Sequence, residues 1–306
     1  MSRFDDMPAT PPAAPAAALP WRRLFYWTVR RELWEHRAVV AAPLVVAGVV
    51  LVGFFLSSFG LPHALRDLAA GKSKHPDMLM ASHSVAALSV MLTGLIVGVF
   101  HASTALHGER RDRSILFWKS LPVSDLITVL GKAAIPLAVI PVVTFAIVFA
   151  AQLVVFLWSN LLTLFTGVSF SVLWRHVDLG TMWVVLGYGL IVNALWQAPL
   201  FAWFILVSAW AKRVPFLWAM IPFVAPGIIE GIGFRTAHWA HFLGERVFGG
   251  FAEAFSKGGK GEAAIDGIGE LDPLRTFGLP DIWVGLVFAA IFLAAAVWLR
   301  RRREPI

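Results

Sequence analysis

The sequence predicts an all-α integral membrane protein with six transmembrane helices, on three observations. Hydrophobic residues make up 58% of the 306 positions and charged residues only 15%, against about 25% charged in a soluble domain. Mean hydropathy is +0.73. Uncharged apolar runs, each of the roughly 20 residues that hydrocarbon requires, recur along the chain between short charged segments. The net charge of +7 does not point to nucleic acid. The basic residues cluster at span ends, where they set orientation, and form no soluble basic face with interleaved aromatics. Cysteine is absent, which removes disulfides, thiolate chemistry and Cys-ligated zinc.

Residues 1–20 are Pro/Ala-rich, carry Asp5 and Asp6, and read as a disordered tail without a signal peptide's basic start and apolar core. Residues 21–37 follow as an amphipathic helix. Trp21, Leu24, Phe25 and Thr28 recur at helical spacing, with Arg22, Arg23, Arg30, Arg31 and Arg37 on the other sides. It fits either a helix lying in the membrane interface or a plain extension of the first span. Residues 38–303 form the transmembrane domain. Its spans are expected at 38–59, 84–106, 133–156, 181–210, 214–232 and 282–299.

In the second span Gly94 and Gly98 make a small-residue stripe that lets another helix approach, within the monomer or across a dimer. On another face Ser89, Thr93, Phe100 and Thr104 align, to line a path or to bond their own backbone. After Lys132 no Asp, Glu, Lys or Arg occurs for 42 residues, more than one span needs. Residues 158–178 are therefore expected as a hydrophobic outer loop, partly re-entrant. Asn193 and Gln197 share a face of the fourth span. The fifth carries Pro215, Pro222 and Pro226, so a break is expected near Pro226. Beyond it lies the large loop 233–280, whose first part holds six aromatics, from Phe234 to Phe255, among charges. They read as short helices on the outer surface.

Lys/Arg counts orient the chain. With both termini inside, the short inner segments hold 16 and the longer outer loops 9. This places residues 107–125 in the cytoplasm. There Glu109, Arg110, Arg111, Asp112 and Arg113 are consecutive, followed by Ile115, Leu116, Phe117 and Trp118. A charge at mid-bilayer costs roughly 2.5–3.5 kcal/mol, so this is a connection, and Ser124 or Asp125 can cap the next helix. Its adjacent aromatics need a cover, either lipid headgroups or a partner protein.

No phosphate-binding Gly-x-x-x-x-Gly-Lys-Ser/Thr, no His-Glu-x-x-His and no Gly-x-Ser-x-Gly occurs. No catalytic, cofactor or metal site is therefore assigned. His101 and His107 stand six apart, with Glu109 near His107 and His83 across the span, but a lone histidine in a span such as His101 reads as a packing hydrogen bonder and not as a metal ligand. Glu230, near the outer end of the fifth span, is the one carboxylate to single out, unless it is a boundary residue at the headgroups.

Gly108-Glu109-Arg110-Arg111-Asp112-Arg113-Ser114, then Leu121-Pro122-Val123-Ser124, together with six spans, an interfacial helix and a large fifth loop, resembles the permease subunit of type-2 ABC transporters. That family usually has Gly-Thr where this chain has Arg113-Ser114. The resemblance implies a cytoplasmic coupling helix within 107–125 that fits a groove on a separate ATP-binding subunit. Glu109, Arg110, Arg111, Arg113, Phe117 and Trp118 would meet that partner, with ATP and Mg bound there and no cofactor in this chain. It implies two permease chains, as homo- or heterodimer, with two ATP-binding chains in a plasma membrane, the bacterial inner membrane. Ser89, Thr93, Phe100 and Thr104 of span two, with Phe223 and Glu230 of span five, would line the path. Its apolar spans suit an exported lipid, peptide or antibiotic. The rival readings are a stand-alone channel or ion-driven carrier, and a membrane sensor or enzyme subunit.

The orientation is checked by single cysteines in this cysteine-free chain. An impermeant thiol reagent on intact cells should label a cysteine at Ser73 and not one at Ser114. The reverse pattern contradicts it.

Overall fold

The computed structural model describes residues 20–60, 78–120, 123–165, 178–255 and 271–302. The expectations for the tail, most of the loop after span one, Leu121–Pro122, residues 166–177, the Gly-rich 256–270 stretch and Arg303 lie outside the described residues. Among the described residues the regular structure is entirely helical. The helices are α1 (Trp21–Glu35), α2 (Ala38–Ser57), α3 (Met78–Thr104), α4 (His107–Arg111), α5 (Ile115–Ser120) and α6 (Asp125–Ala134). They continue with α7 (Ile140–Thr163), α8 (Leu179–Trp210), α9 (Pro215–Gly233), α10 (His238–Phe255), α11 (Pro273–Gly278) and α12 (Pro280–Arg302).

Among the described residues, six stretches are long and apolar enough to cross a membrane: Ala38–Gly60, His83–Arg111, Asp125–Thr163, Leu179–Trp210, Pro215–Gly233 and Pro280–Arg302. This is a multi-pass membrane protein. Span four is the hub. About 61% of its most apolar window is buried, against 6% for span five and 17% for span one, so spans one and five present most of their apolar surface outward. The main core joins Ala102, Ala105 and Leu106 of the second span to Val129 and Ala133, to Phe201, Phe204 and Ile205 of α8, and to Ala296 of α12.

Span three is longer than expected. Ser124 caps α6, its hydroxyl accepting from Ile127 N at 3.2 Å. The rod runs on to Thr163 through a π-helical turn at Ile135–Val139. Pro136 lies in that turn and Pro141 just beyond. Each removes a backbone donor, and the wider turn absorbs them without ending the helix. Residues 158–163, expected in an outer loop, continue the helix, because no Gly or Pro interrupts it before Gly167.

The expected break at Pro226 is also displaced. The helix is continuous from Pro215 to Gly233, with Pro222 and Pro226 inside it. The chain turns only at Phe234–Ala237, where Arg235 adopts a left-handed φ of 53°. Beyond it stands one 18-residue helix, α10, where several short ones were expected. Trp196 Nε1 donates to Glu245 O at 3.3 Å and Gln197 Nε2 to Val247 O at 3.0 Å, which ties α10 to span four.

The glycine stripe of span two pairs within the monomer. A Cβ at Gly98 would stand 2.9 Å from Phe201, and one at Gly94 would stand 3.0 Å from Ile140. These positions are closed to a second chain. Overpacking such a contact destabilises by about 1–3 kcal/mol. Gly98→Val should therefore lower stability in detergent by that amount, seen as a lower unfolding midpoint, whereas Gly48→Val, with nothing within 4 Å, should leave the midpoint unchanged. Equal midpoints for the two would contradict this packing.

Candidate functional site

The charged connection does not stand apart from the spans, because half of it is built into them. Helix α1 lies along α6, with Gly131 letting Thr28 approach so closely that a Cβ there would be 2.6 Å from the Thr28 methyl. This register points Glu32, fully buried, at Lys132, which is 2% exposed. Lys132 Nζ donates to Glu32 Oε1 at 2.8 Å and lies 3.1 Å from Glu109 Oε1. Arg31 reaches the same two carboxylates at 2.8 and 3.3 Å. Arg300, at the end of α12, donates from Nη1 to Glu109 Oε2 at 2.6 Å, and its Nε lies 2.9 Å from Asp125 Oδ1. One carboxylate, Glu109, thus joins α1, α6 and α12.

Glu109 and Arg110 were expected to meet a partner, and both are instead buried inside the chain, at 8% and 4% exposure. Arg110 Nη1 donates to Ala209 O at 2.7 Å and to Ala211 O at 3.3 Å. These carbonyls end α8, where a helix leaves acceptors unpaired and carries partial negative charge. His107 Nδ1 stands 3.3 Å from the same Ala211 oxygen, and Leu106 N donates to Ser208 Oγ at 3.2 Å. The second span and the end of span four are therefore fastened together at this end.

Burial by itself would raise the Glu32 carboxyl. The Lys132 charge and hydrogen bonds from Lys132 and Arg31 outweigh it and hold the group at about 2, below its ordinary 4.5. A depressed carboxylate stabilises the fold fully above its unfolded value, and that stabilisation is lost as pH falls through the folded one.

Helix α5 projects from this base. Arg113 makes the bend before it, with a left-handed φ of 58°, a conformation that glycine adopts at less cost. Ile115 is buried, whereas Leu116 and Phe117 are each 60% exposed. Trp118 is half-buried: Arg31 lies 3.9 Å above its ring, and Phe117 packs edge-on at 5.0 Å. Arg111 and Arg113 are exposed. Arg111, Asp112, Arg113, Leu116, Phe117 and Lys119 are thus the exposed residues of this segment, with Trp118 held by α1.

A second feature lies within the spans. Spans two, four and five and helix α10 enclose a cleft of about 410 Å³ lined by Leu92, Leu95, Ile96, Val99, Phe100, Leu200, Phe204, Phe216, Met220, Phe223, Val224, Leu243, Val247 and Phe248. Every lining residue is apolar. Phe100 stacks on Phe216 at 5.3 Å, and Phe204 on Phe223 at 6.2 Å. An adjoining cleft of about 330 Å³ shares Leu92, Leu95, Val247 and Phe248 and adds Asn193 and Gln197.

Of the expected path residues, Phe100 and Phe223 line the apolar cleft, and Ser89, Thr93, Thr104 and Glu230 do not. Thr93 Oγ1 donates to Ser89 O at 2.8 Å and Thr104 Oγ1 to Phe100 O at 3.1 Å, so both hydroxyls satisfy themselves on their own helix. Glu230 receives Thr236 Oγ1, His238 N at 2.8 Å and Trp239 N at 2.7 Å. It is the cap of α10.

The residues that sequence reading missed are Glu32, His36, Asp125 and Arg300 as a set. Lys132 carried the one available signal, an ionisable side chain entering an apolar run, which requires a partner. No family model, no curated protein and no solved structure matches the chain.

Removing one partner of a buried ion pair costs roughly 3–5 kcal/mol. Glu109→Gln should therefore destabilise the detergent-solubilised protein on that scale, and Arg111→Gln, at the surface, should not. An unchanged unfolding midpoint for Glu109→Gln would contradict the junction. In the wild type, stability should fall as pH drops from 4.5 towards 2. Glu32→Gln should be less stable at neutral pH and show a flatter acid limb.

Proposed function

We propose that this chain is the transmembrane subunit of an ATP-driven ABC transporter of type 2. In this reading it works with a separate ATP-binding subunit and moves a hydrophobic or amphiphilic cargo, a lipid, peptide or antibiotic, outward. Both termini lie in the cytoplasm of a bacterial inner membrane. The observation that carries the reading is the short helix α5. It puts Leu116 and Phe117, each 60% exposed, on a base that Glu109 ties to α1, span three and span six. An apolar knob on a rigid base suits transmission: a push at the knob displaces span ends. A knob on a free loop would absorb the push.

Three further features support it. The left-handed Arg113 stands where the family resemblance expects glycine, the residue that this backbone favours. The chain carries no recognisable phosphate-binding loop, so ATP and Mg belong to the partner. Span five exposes Leu217, Trp218, Ile221, Val224 and Ile228, surface suited to a second permease chain beside the apolar cleft. Two permease and two ATP-binding chains complete the assembly.

The all-apolar 410 Å³ cleft is the reason for a hydrophobic cargo. A bare ion would find no ligand in that cleft, which favours an apolar cargo over an ion. In this reading Phe100, Phe204, Phe216 and Phe223, all of which line the cleft, face the path.

Partner binding assigns the roles within α5. A central apolar anchor costs about 2 kcal/mol or more when truncated, and a rim charge much less. Phe117→Ala should therefore abolish co-purification with the ATP-binding subunit or uncouple its ATPase from transport. Arg111→Ala should change mainly the salt dependence. Both variants should insert and unfold like wild type. Partner binding and coupled ATPase both unaffected by Leu116→Ala/Phe117→Ala would remove the coupling role.

A further inference from the structure

At the end of α1, beside the Glu32–Lys132 pair, three donors converge. Ligand atoms of Glu32, His36 and His101 all lie within 4.8 Å of one another. They come from two elements, α1 with the turn that ends it and the second span, so the fold and not one helix assembles them. Glu32 is fully buried and His101 is 4% exposed. Neither ring nitrogen of His101 meets a hydrogen-bonding protein group, and neither does Glu32 Oε2. Buried polar atoms are almost always paired, so three unpaired ones in one place require an explanation. The protein cations do not supply it. Lys132 and Arg31 both bind Oε1 of Glu32, at 2.8 Å. Oε2 instead faces His36, 3.8 Å from its Nε2, and the His36 and His101 rings meet edge to face at 4.8 Å.

We infer that Glu32 Oε2, His36 and His101 bind one divalent transition-metal ion of the zinc class. Two imidazoles and a carboxylate are a common zinc donor set, and three protein ligands leave a fourth position open. With bonds of about 2.0 Å, tetrahedral donors stand about 3.3 Å apart, so the present spread of 4.8 Å must close by about 1.5 Å. His36 can move: it follows the last turn of α1 and its side chain is 38% exposed. His101, fixed in the second span, cannot. The surrounding charge tolerates a cation. Glu32, Glu35, Glu109 and Asp125 are faced by Arg31, Lys132 and Arg300, while Arg301 is exposed and 4.0 Å from Asp125. A bound ion would staple α1 to span two, independently of the Glu32–Lys132 pair and of any transport activity.

The test uses the full-length chain in detergent, purified through an affinity tag that contains no histidine, with zinc as the probe. After removal of free metal, mass spectrometry of elements should find about one zinc per chain. Cobalt(II) in its place should give the visible absorption of four-coordinate nitrogen and oxygen ligation. His36→Ala, a change at a partly exposed helix end, should weaken zinc by at least about tenfold with the metal-free unfolding midpoint unchanged. His101→Phe, which keeps the ring volume, should abolish it. The double variant His238→Ala/His241→Ala on α10 should bind as wild type does. Absence of stoichiometric zinc, or zinc that survives His36→Ala at full affinity, overturns the inference. So does zinc lost only with His238 and His241.

Discussion

The fold depends at one end on a single buried carboxylate. Glu109 accepts from Arg300 at 2.6 Å and lies 3.1 Å from Lys132 and 3.3 Å from Arg31. Taking such charges out of water is expensive, and a buried ion pair is seldom a net source of stability compared with an apolar core. Its effect is specificity of position. Once buried, each charge tolerates only the arrangement in which its partner is present. The ends of three long elements and the amphipathic helix α1 are thereby held in one register, with Arg110 adding the end of span four through Ala209 and Ala211.

That constraint explains why the connection between spans two and three divides in two. Its first half, His107–Arg110, is structural and buried. Its second half, from Arg111 to Lys119, is largely exposed, with Ile115 buried and Trp118 held under Arg31, and Arg113 bends the chain within it. The far end of the molecule is organised by neutral hydrogen bonds and by the carboxylate caps Asp178, Glu230 and Asp272. Glu230 fixes the start of α10, and Trp196 and Gln197 hold its middle. The apolar cleft lies between these two ends, framed by α10 and by the phenylalanines of spans two, four and five.

The six spans were legible because transfer of apolar side chains into hydrocarbon acts locally, on runs of about 20 residues. The Ser124 cap was legible for the same reason, since it links residues three apart. The ionic junction was not, because its pairs join positions 78, 100 and 191 residues apart, and no periodicity encodes them. The 107–113 charges looked like one solvated rim. In sequence nothing separates Arg110, which caps a distant helix, from Arg111, which faces solvent. The prolines misled in another way. Pro222 and Pro226 would end a helix in water, yet α9 runs through both, as apolar helices can when neighbours re-satisfy the freed carbonyls.

The account stands on Glu109 acting as one joint between α1, span three and span six. Backbone hydrogen exchange on the detergent-solubilised chain, wild type against Glu109→Gln, measures that directly. The account predicts that protection falls together in α1, in α4, in α6 and in the last turn of α12, while α10 and the middle of α8 keep theirs. Loss confined to α4, with α1 and α12 as protected as in wild type, would contradict it.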